Sequence, residues 1–221
     1  MNPTPADPAT NAVIAYWPFE ASNGLADASG NGNALTGDGV AFSDGTAFFG
    51  GAQTCKTANT LDLSPYSAIT VEYFIKSSPS AVQVILEQSA NYGANPGAFA
   101  FYQNDPAGIL TAAYRASVGH NLAITSAGAA SDGRWHHVGM IIDRSKPGGD
   151  RVQLYLDYVR QSQHPDYAAF GDTPFINDTL FIGSRNNADY PFVGQLDDIR
   201  ITGKALNTTE FLTRPTTVLP P

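Results

Sequence analysis

The chain has 221 residues, a formal net charge of −8, 43% hydrophobic and 11% aromatic residues, and only 14% charged residues, which suits one domain with a sizeable core. The acidic balance and the lack of any Lys/Arg run argue against a nucleic-acid partner, because phosphate binding needs a basic surface. No stretch approaches the ~20 apolar residues of a membrane helix, and the single cysteine, Cys55, excludes an internal disulfide.

The first nine residues, MNPTPADPA, have no basic start and no apolar stretch, so they do not read as a signal peptide. Residues 214–221, RPTTVLPP, share their Pro/Thr character. The expected organisation is a linker or tag over 1–11, one domain over 12–213 and a linker over 214–221. On this reading the chain is a monomeric module tethered to other domains of a longer, secreted and bacterial protein. Met1 is then an expression addition, and the secretion signal lies outside the fragment. Cys55, among small polar residues, is expected as a half-buried strand thiol.

Period-2 alternation marks strands along the chain. In 68–76 (AITVEYFIK), Ile69, Val71, Tyr73 and Ile75 share one face, and Thr70, Glu72, Phe74 and Lys76 the other. Residues 82–87, 98–102 and 109–115 repeat the pattern. Residues 134–143 and 151–160 read as two long strands joined at the Ser-Lys-Pro-Gly-Gly-Asp turn of 145–150, an antiparallel hairpin. Residues 179–184 and 192–202 read as a further strand pair. Asn207-Thr-Thr-Glu210 has the form of a capping box before Phe211 and Leu212, giving one short helical turn. Many short strands without helical periodicity predict an all-β, two-sheet antiparallel β-sandwich of the jelly-roll type.

Several segments resemble the concanavalin A-like lectin/glucanase superfamily, in particular its laminin-G-like, pentraxin-related branch. They are AYWPFE at 15–20 with DASGNGN at 27–33, FGG at 49–51, GRWHHV at 133–138 with VQLYLD at 152–157, and FIG at 181–183 with FVGQLDDIRI at 192–201 and ALNTTE at 205–210. They occur in the family's order over about residues 12–212. One departure is Asp157-Tyr158, where the family has Asp-Gly; the Tyr predicts a longer or differently twisted hairpin. Residues 87–131 carry no family signature.

In the 27–33 loop, oxygen-bearing side chains alternate with glycines, an arrangement suited to a hard cation such as Ca²⁺. The spacing mimics the start of an EF-hand loop, with Asp38 twelfth, but no helices flank it. The resemblance implies a structural calcium joining this loop to the Asp of the last strand. The candidate ligands are Asp27, Asn31, Asn33, Asp197 and Glu20; the alternative is an Asx-turn loop without metal.

Glycosidases of this architecture use two carboxylates about 5–5.5 Å apart when retaining. The four glutamates, Glu20, Glu72, Glu87 and Glu210, do not form the E-x-D-x-x-E pattern that these enzymes carry. Asp197 and Asp198 are adjacent, so a regular strand would point them to opposite faces. His136 and His137 read as ordinary sheet residues, and Trp17 and Trp135 as core. No other catalytic motif is visible, so the domain is read as non-catalytic.

Sugar sites combine aromatic faces with planar polar groups. Candidates are Asn91 and Tyr92 in the 88–97 loop, and Arg185, Asn186 and Tyr190 in the 183–192 loop. Tyr102, Tyr114 and Arg115 are candidates on strands, lining a concave sheet face. The expected function is a carbohydrate-binding or adhesion module for a poly- or oligosaccharide. The alternatives are a protein-interaction or structural domain, and a divergent glycoside hydrolase or polysaccharide lyase.

Overall fold

The computed structural model describes residues 12–78, 82–89, 91–103, 107–162, 173–186 and 188–214. Residues 1–11 and 215–221, expected as linkers, lie outside these, as do His164 and Asn187. The strands in chain order are β1 (Val13–Trp17), β2 (Leu35–Asp38), β3 (Ala41–Ser43), β4 (Thr46–Gly50), β5 (Thr54–Thr57), β6 (Leu61–Asp62), β7 (Ala68–Ser77), β8 (Gln83–Gln88) and β9 (Phe99–Gln103). They continue with β10 (Ile109–Ser117), β11 (His120–Ala129), β12 (Trp135–Asp143), β13 (Val152–Leu156), β14 (Val159–Arg160), β15 (Asn177–Asp178), β16 (Leu180–Ile182) and β17 (Val193–Thr202). Two short helical turns, Gly148–Arg151 and Thr208–Glu210, complete the elements.

The chain is an all-β sandwich of two large antiparallel sheets. One runs β14-β13-β12-β7-β17-β4-β3, with β1 added against β17. The other runs β11-β10-β9-β8-β16-β5-β2, and β15 pairs β6 separately. The alternation of β7 explains the packing. Ile69, Val71, Tyr73 and Ile75 enter the core with Val138, Met140 and Ile142 of β12. They meet Phe99, Phe101, Leu110 and Ala112 from the other sheet, and the Tyr73 ring stands edge-on to Phe101 at 5.0 Å. Fully burying side chains of this size stabilises by roughly 1.5–3 kcal/mol each.

The opposite face of β7 is also covered. Glu72 is fully buried and accepts hydrogen bonds from Arg200 Nε (2.8 Å) and Leu212 N (2.8 Å). His137 Nε2 lies 3.1 Å from Oε2, the Glu72 oxygen that also accepts from Leu212 N. Phe211 and the stacked ring of Tyr158, at 4.5 Å and 7°, roof His137. The C-terminal segment is thus a strap over this sheet. In its Thr208–Glu210 turn, Glu210 Oε2 accepts the Asn207 N–H at 2.8 Å, one arm of the expected capping box.

Three expectations about strands change. Residues 151–160 are not one strand: β13 and β14 form a hairpin, with Leu156 opposite Val159. Its turn, Asp157 (φ 49°) and Tyr158 (φ 67°), is the tight two-residue kind rather than a longer one. Tyr158 tolerates this φ because its ring is held on His137 and its hydroxyl donates to Leu212 O at 3.0 Å. The 179–184 and 192–202 segments do not pair, because β16 joins β8 and β5 while β17 joins β7, β4 and β1. The chain crosses between sheets through the intervening loop, turning at Gly183 (φ 84°), where a Cβ would come within 2.6 Å of the Phe49 ring. Arg214, the first residue of the expected C-terminal linker, contacts the sandwich. It stacks on Trp135 at 3.7 Å and lies 3.3 Å from Asp197. Trp135 is therefore a half-buried outer-face residue and not core, whereas Trp17 is fully buried as expected.

Candidate functional site

The outer face of the seven-stranded sheet carries a compact polar and aromatic site. Its origin is a bulge in β8, where the register against β9 shifts between Val84 and Leu86. Ile85 and Leu86 consequently both enter the core, and Val84 and Glu87 are left on the outer face. Glu87 is completely buried there. Its carboxylate accepts Arg185 Nε at 3.0 and 2.9 Å and Arg185 Nη2 at 2.8 Å. Burial pushes the Glu87 carboxyl above its ordinary range, against the opposing pull of Arg185.

Arg185 is delivered by a tight loop. Its N–H donates to Asp189 O at 2.8 Å, Asn186 sits at φ 51°, and Val84 N donates to Tyr190 O at 2.8 Å, pinning the loop to β8. The guanidinium lies over the Tyr190 ring at 5.0 Å. Tyr190, 43% exposed, faces solvent. Together Val82, Val84, Tyr102, Arg185 and Tyr190 line an open pocket of about 240 Å³. Two aromatic rings, a short aliphatic wall and a fixed planar donor are a sugar-binding set. Arg185 Nη1 has no protein partner among the described residues and remains available to fork onto hydroxyls.

Of the eight residues expected to bind ligand, the structure brings Tyr102, Arg185 and Tyr190 together. Asn186 is exposed beside them in the same turn. The others are placed differently. Tyr114 and Arg115 are neighbours on β10, so they cannot line one face. Tyr114 is a fully buried core residue, edge-on to Phe175, with its hydroxyl donating to Thr173 O. Arg115 lies on the outer face but is buried, donating to Tyr92 O (3.0 Å) and Asn121 Oδ1 (3.1 Å). Tyr92 is buried beneath that guanidinium at 5.2 Å. Both act in fixing the 91–97 loop. Asn91 is exposed, and its carbonyl accepts two turn N–H groups. Glu87, Val82 and Val84 were not singled out from sequence. A glutamate inside an apolar strand is the one signal that could have marked Glu87.

The expected calcium ligands fall into two groups. Asp27 accepts backbone N–H groups from Tyr16 (3.0 Å), Ser29 (2.9 Å) and Asn33 (2.9 Å), using both carboxylate oxygens. These bonds outweigh partial burial and hold its carboxyl below the ordinary range. The side-chain amides of Asn31 and Asn33 donate to Ile14 O, and Asn33 O accepts from Trp17 Nε1. The Ser29 N–H to Asp27 bond closes an Asx turn within the loop. Glu20 and Asp197 lie in a separate acidic corner with Asp198, whose carboxylate accepts the Tyr16 hydroxyl. Tyr16 thus separates the two groups, its backbone bound to one and its hydroxyl to the other. Among the described residues, no three His, Cys, Asp or Glu side chains converge to hold a metal.

Asp197 and Asp198 do not point to opposite faces. The register of β17 against β7 shifts between Asp197 and Arg200, and Leu196 and Ile199 both enter the core, leaving both aspartates outside. Burial and the charges of Asp198 and Glu20, countered by Arg214, lift Asp197 to about 7. Among the other titratable groups, His136 bridges Asp157 (Nδ1, 2.8 Å) and Asp132 (Nε2, 2.9 Å). Cys55 is fully buried rather than half-buried, and burial pushes its thiol up to about 12.

A search among curated proteins finds no match. Solved structures do match. Domain 4 of AbnA, a GH43 extracellular arabinanase from Geobacillus stearothermophilus, solved in complex with arabinotriose, has a TM-score of 0.64 at 17% identity. The match covers 90% of this chain and 95% of that one. The binding domain of Paraclostridial Mosquitocidal Protein 1 has a TM-score of 0.71 at 17% identity, covering 90% and 51%. The receptor-binding domain of botulinum neurotoxin C/D mosaic serotype has 0.68 at 13%, covering 90% and 50%, so the chain spans about half the length of that domain. At these identities the likeness is one of fold. A laminin-G-type family profile matches residues 49–211, which include β7, β12, β13 and β17. The chain therefore belongs to the concanavalin A-like lectin/glucanases superfamily.

Proposed function

We propose that this domain is a non-catalytic carbohydrate-binding module of a larger secreted protein, and that it takes a neutral sugar chain in the pocket formed by Tyr102, Arg185 and Tyr190. The observation that carries this reading is the Arg185–Glu87 pair. A buried carboxylate fixes the guanidinium as a planar donor beside two aromatic rings and cancels its charge. A site of that kind favours hydroxyl-rich neutral rings over anions. The arabinotriose-bound neighbour and the binding domains of two toxins support a binding role on this fold. Tethering such a module to other domains would raise their local concentration on a polysaccharide.

The donor set of the 27–33 loop suits calcium poorly, because Asp27 already spends both carboxylate oxygens on three backbone N–H groups. Nothing in the proposed function is routed through a metal. The test is retardation in affinity gels containing neutral plant and algal polysaccharides, repeated with Tyr190→Ala. Retardation lost in that variant supports the reading. Absence of retardation across the panel, or release of reducing ends from it, contradicts the reading.

A further inference from the structure

A second groove opens on the outer face of the other sheet. One cross-strand row runs through Trp135, Lys76, Gln195 and Phe48, on β12, β7, β17 and β4. Beside this row lies an open groove of about 490 Å³, lined among others by Phe48, Lys76, Gln195, Val193 and Ser78. Phe48 is 36% exposed and Val193 48%, so an aromatic ring and an aliphatic wall face solvent here. Gly194 forms part of the lining, and a Cβ there would meet Phe192 Cζ at 2.6 Å and Lys76 O at 2.7 Å.

The charges set this groove apart from the first pocket. Arg214, the nearby cation on Trp135, is answered by Asp197 at 3.3 Å. Lys76 has no ion-pair partner among the described residues. In a chain of net charge −8, an unanswered ammonium beside an exposed ring and a planar amide is a local inversion of sign. The chemistry matches a sugar ring that bears a carboxylate. The apolar ring face packs on Phe48, hydroxyls meet the Gln195 amide, and the carboxylate meets Lys76 through a charge-assisted hydrogen bond. The two sites are close in sequence: Tyr190 lines the first pocket and Val193 this groove.

We propose that the groove formed by Phe48, Lys76 and Gln195 is a second glycan site, selective for a uronate residue. It stands independently of the neutral-sugar pocket. The test is calorimetric titration of the full chain with trigalacturonate and, as its neutral counterpart, galactotriose. Trigalacturonate binds, and binding weakens on going from low to high salt. Lys76→Gln and Phe48→Ala each weaken it by about tenfold or more, the loss expected for one charge-assisted hydrogen bond or one stacked ring. Tyr190→Ala leaves it unchanged while weakening neutral-sugar binding by roughly tenfold, so failure of one site is distinguishable from failure of the other. No heat with trigalacturonate, equal binding of galactotriose and trigalacturonate by the Tyr190→Ala variant, or an unchanged trigalacturonate affinity in Lys76→Gln overturns the proposal.

Discussion

Replacing Arg185 by Met tests how the first pocket is built. The substitution keeps much of the aliphatic stem but leaves Glu87, whose side chain is 0% exposed, as a buried carboxylate without its partner. Breaking a buried pair from one side costs roughly 3–5 kcal/mol. The lower end applies, because Arg185 itself is 36% exposed and water can approach the gap. At pH 8 a loss of about 3 kcal/mol lowers the melting temperature by about 6–12 °C for a domain of this size. The penalty must depend on pH. Burial already raises the Glu87 carboxyl, and removing Arg185 removes the one influence that lowers it. In the variant the folded state therefore holds a proton that the unfolded state releases above the ordinary value of 4.5. Stability is retained below that value and lost as pH rises through the raised folded pKa. Urea denaturation at pH 4.5 and pH 8 reads the difference. Glu87→Gln serves as control, since it removes the buried carboxyl, so its penalty relative to wild type should vary little with pH. An Arg185→Met penalty of equal size at both pH values refutes the reasoning.

Tyr190→Ala and Tyr102→Ala are expected to weaken neutral-oligosaccharide binding by roughly tenfold each; calorimetry measures this, and Tyr190→Ala, at an exposed position, should leave the melting temperature almost unchanged. The contributions of Asp197 and His136 to wild-type stability should fall as pH rises from about 4 to slightly alkaline. Asp197 is lifted to about 7 from an ordinary 3.8, so its contribution is full below 3.8 and lost through pH 7. His136 adds to this: burial opposes its charge, but Asp132 and Asp157 raise its pKa above 6.5, and that contribution is lost at higher pH. Asp197→Asn should flatten the limb between pH 4 and 7 in a series of thermal melts. EDTA should leave the melting temperature of a calcium-treated sample unchanged, because Asp27 already spends both carboxylate oxygens on backbone N–H groups; a clear drop shows that the loop reorganises around an ion.

The long strands were legible because their residues obey a strict period of two, and the ordered framework motifs agreed with that period independently. β11 was not legible: its Ser-, Ala- and Gly-rich sequence has little alternation, and its pairing with β10 defines it. Bulges account for the main errors in reading faces. A single extra residue in β8 and in β17 inverts the alternation locally, which put Glu87 in the site and set Asp197 and Asp198 on one face. Counting from Ile85 or Leu196 in steps of two gives the wrong side in each case. Tyr114 was a different error, since alternation alone forbade it from sharing a face with Arg115. Tyr92 and Arg115 have the composition of a sugar site but spend their polar atoms on each other and on the chain. The groove at Lys76 and Phe48 was invisible because it joins four strands scattered between Phe48 and Gln195. Only the sheet order brings them into one row.

The neutral-sugar site proposed at Tyr102, Arg185 and Tyr190 is open to residue-level test. The most direct measurement is an amide NMR titration of the isotopically labelled domain with arabinotriose and a panel of other neutral oligosaccharides. The account predicts saturable shifts in at least one titration, clustered on Val82, Val84, Tyr102, Arg185 and Tyr190, and absent from the core face of β10. Shifts centred elsewhere on the sandwich, or none with any member of the panel, contradict it.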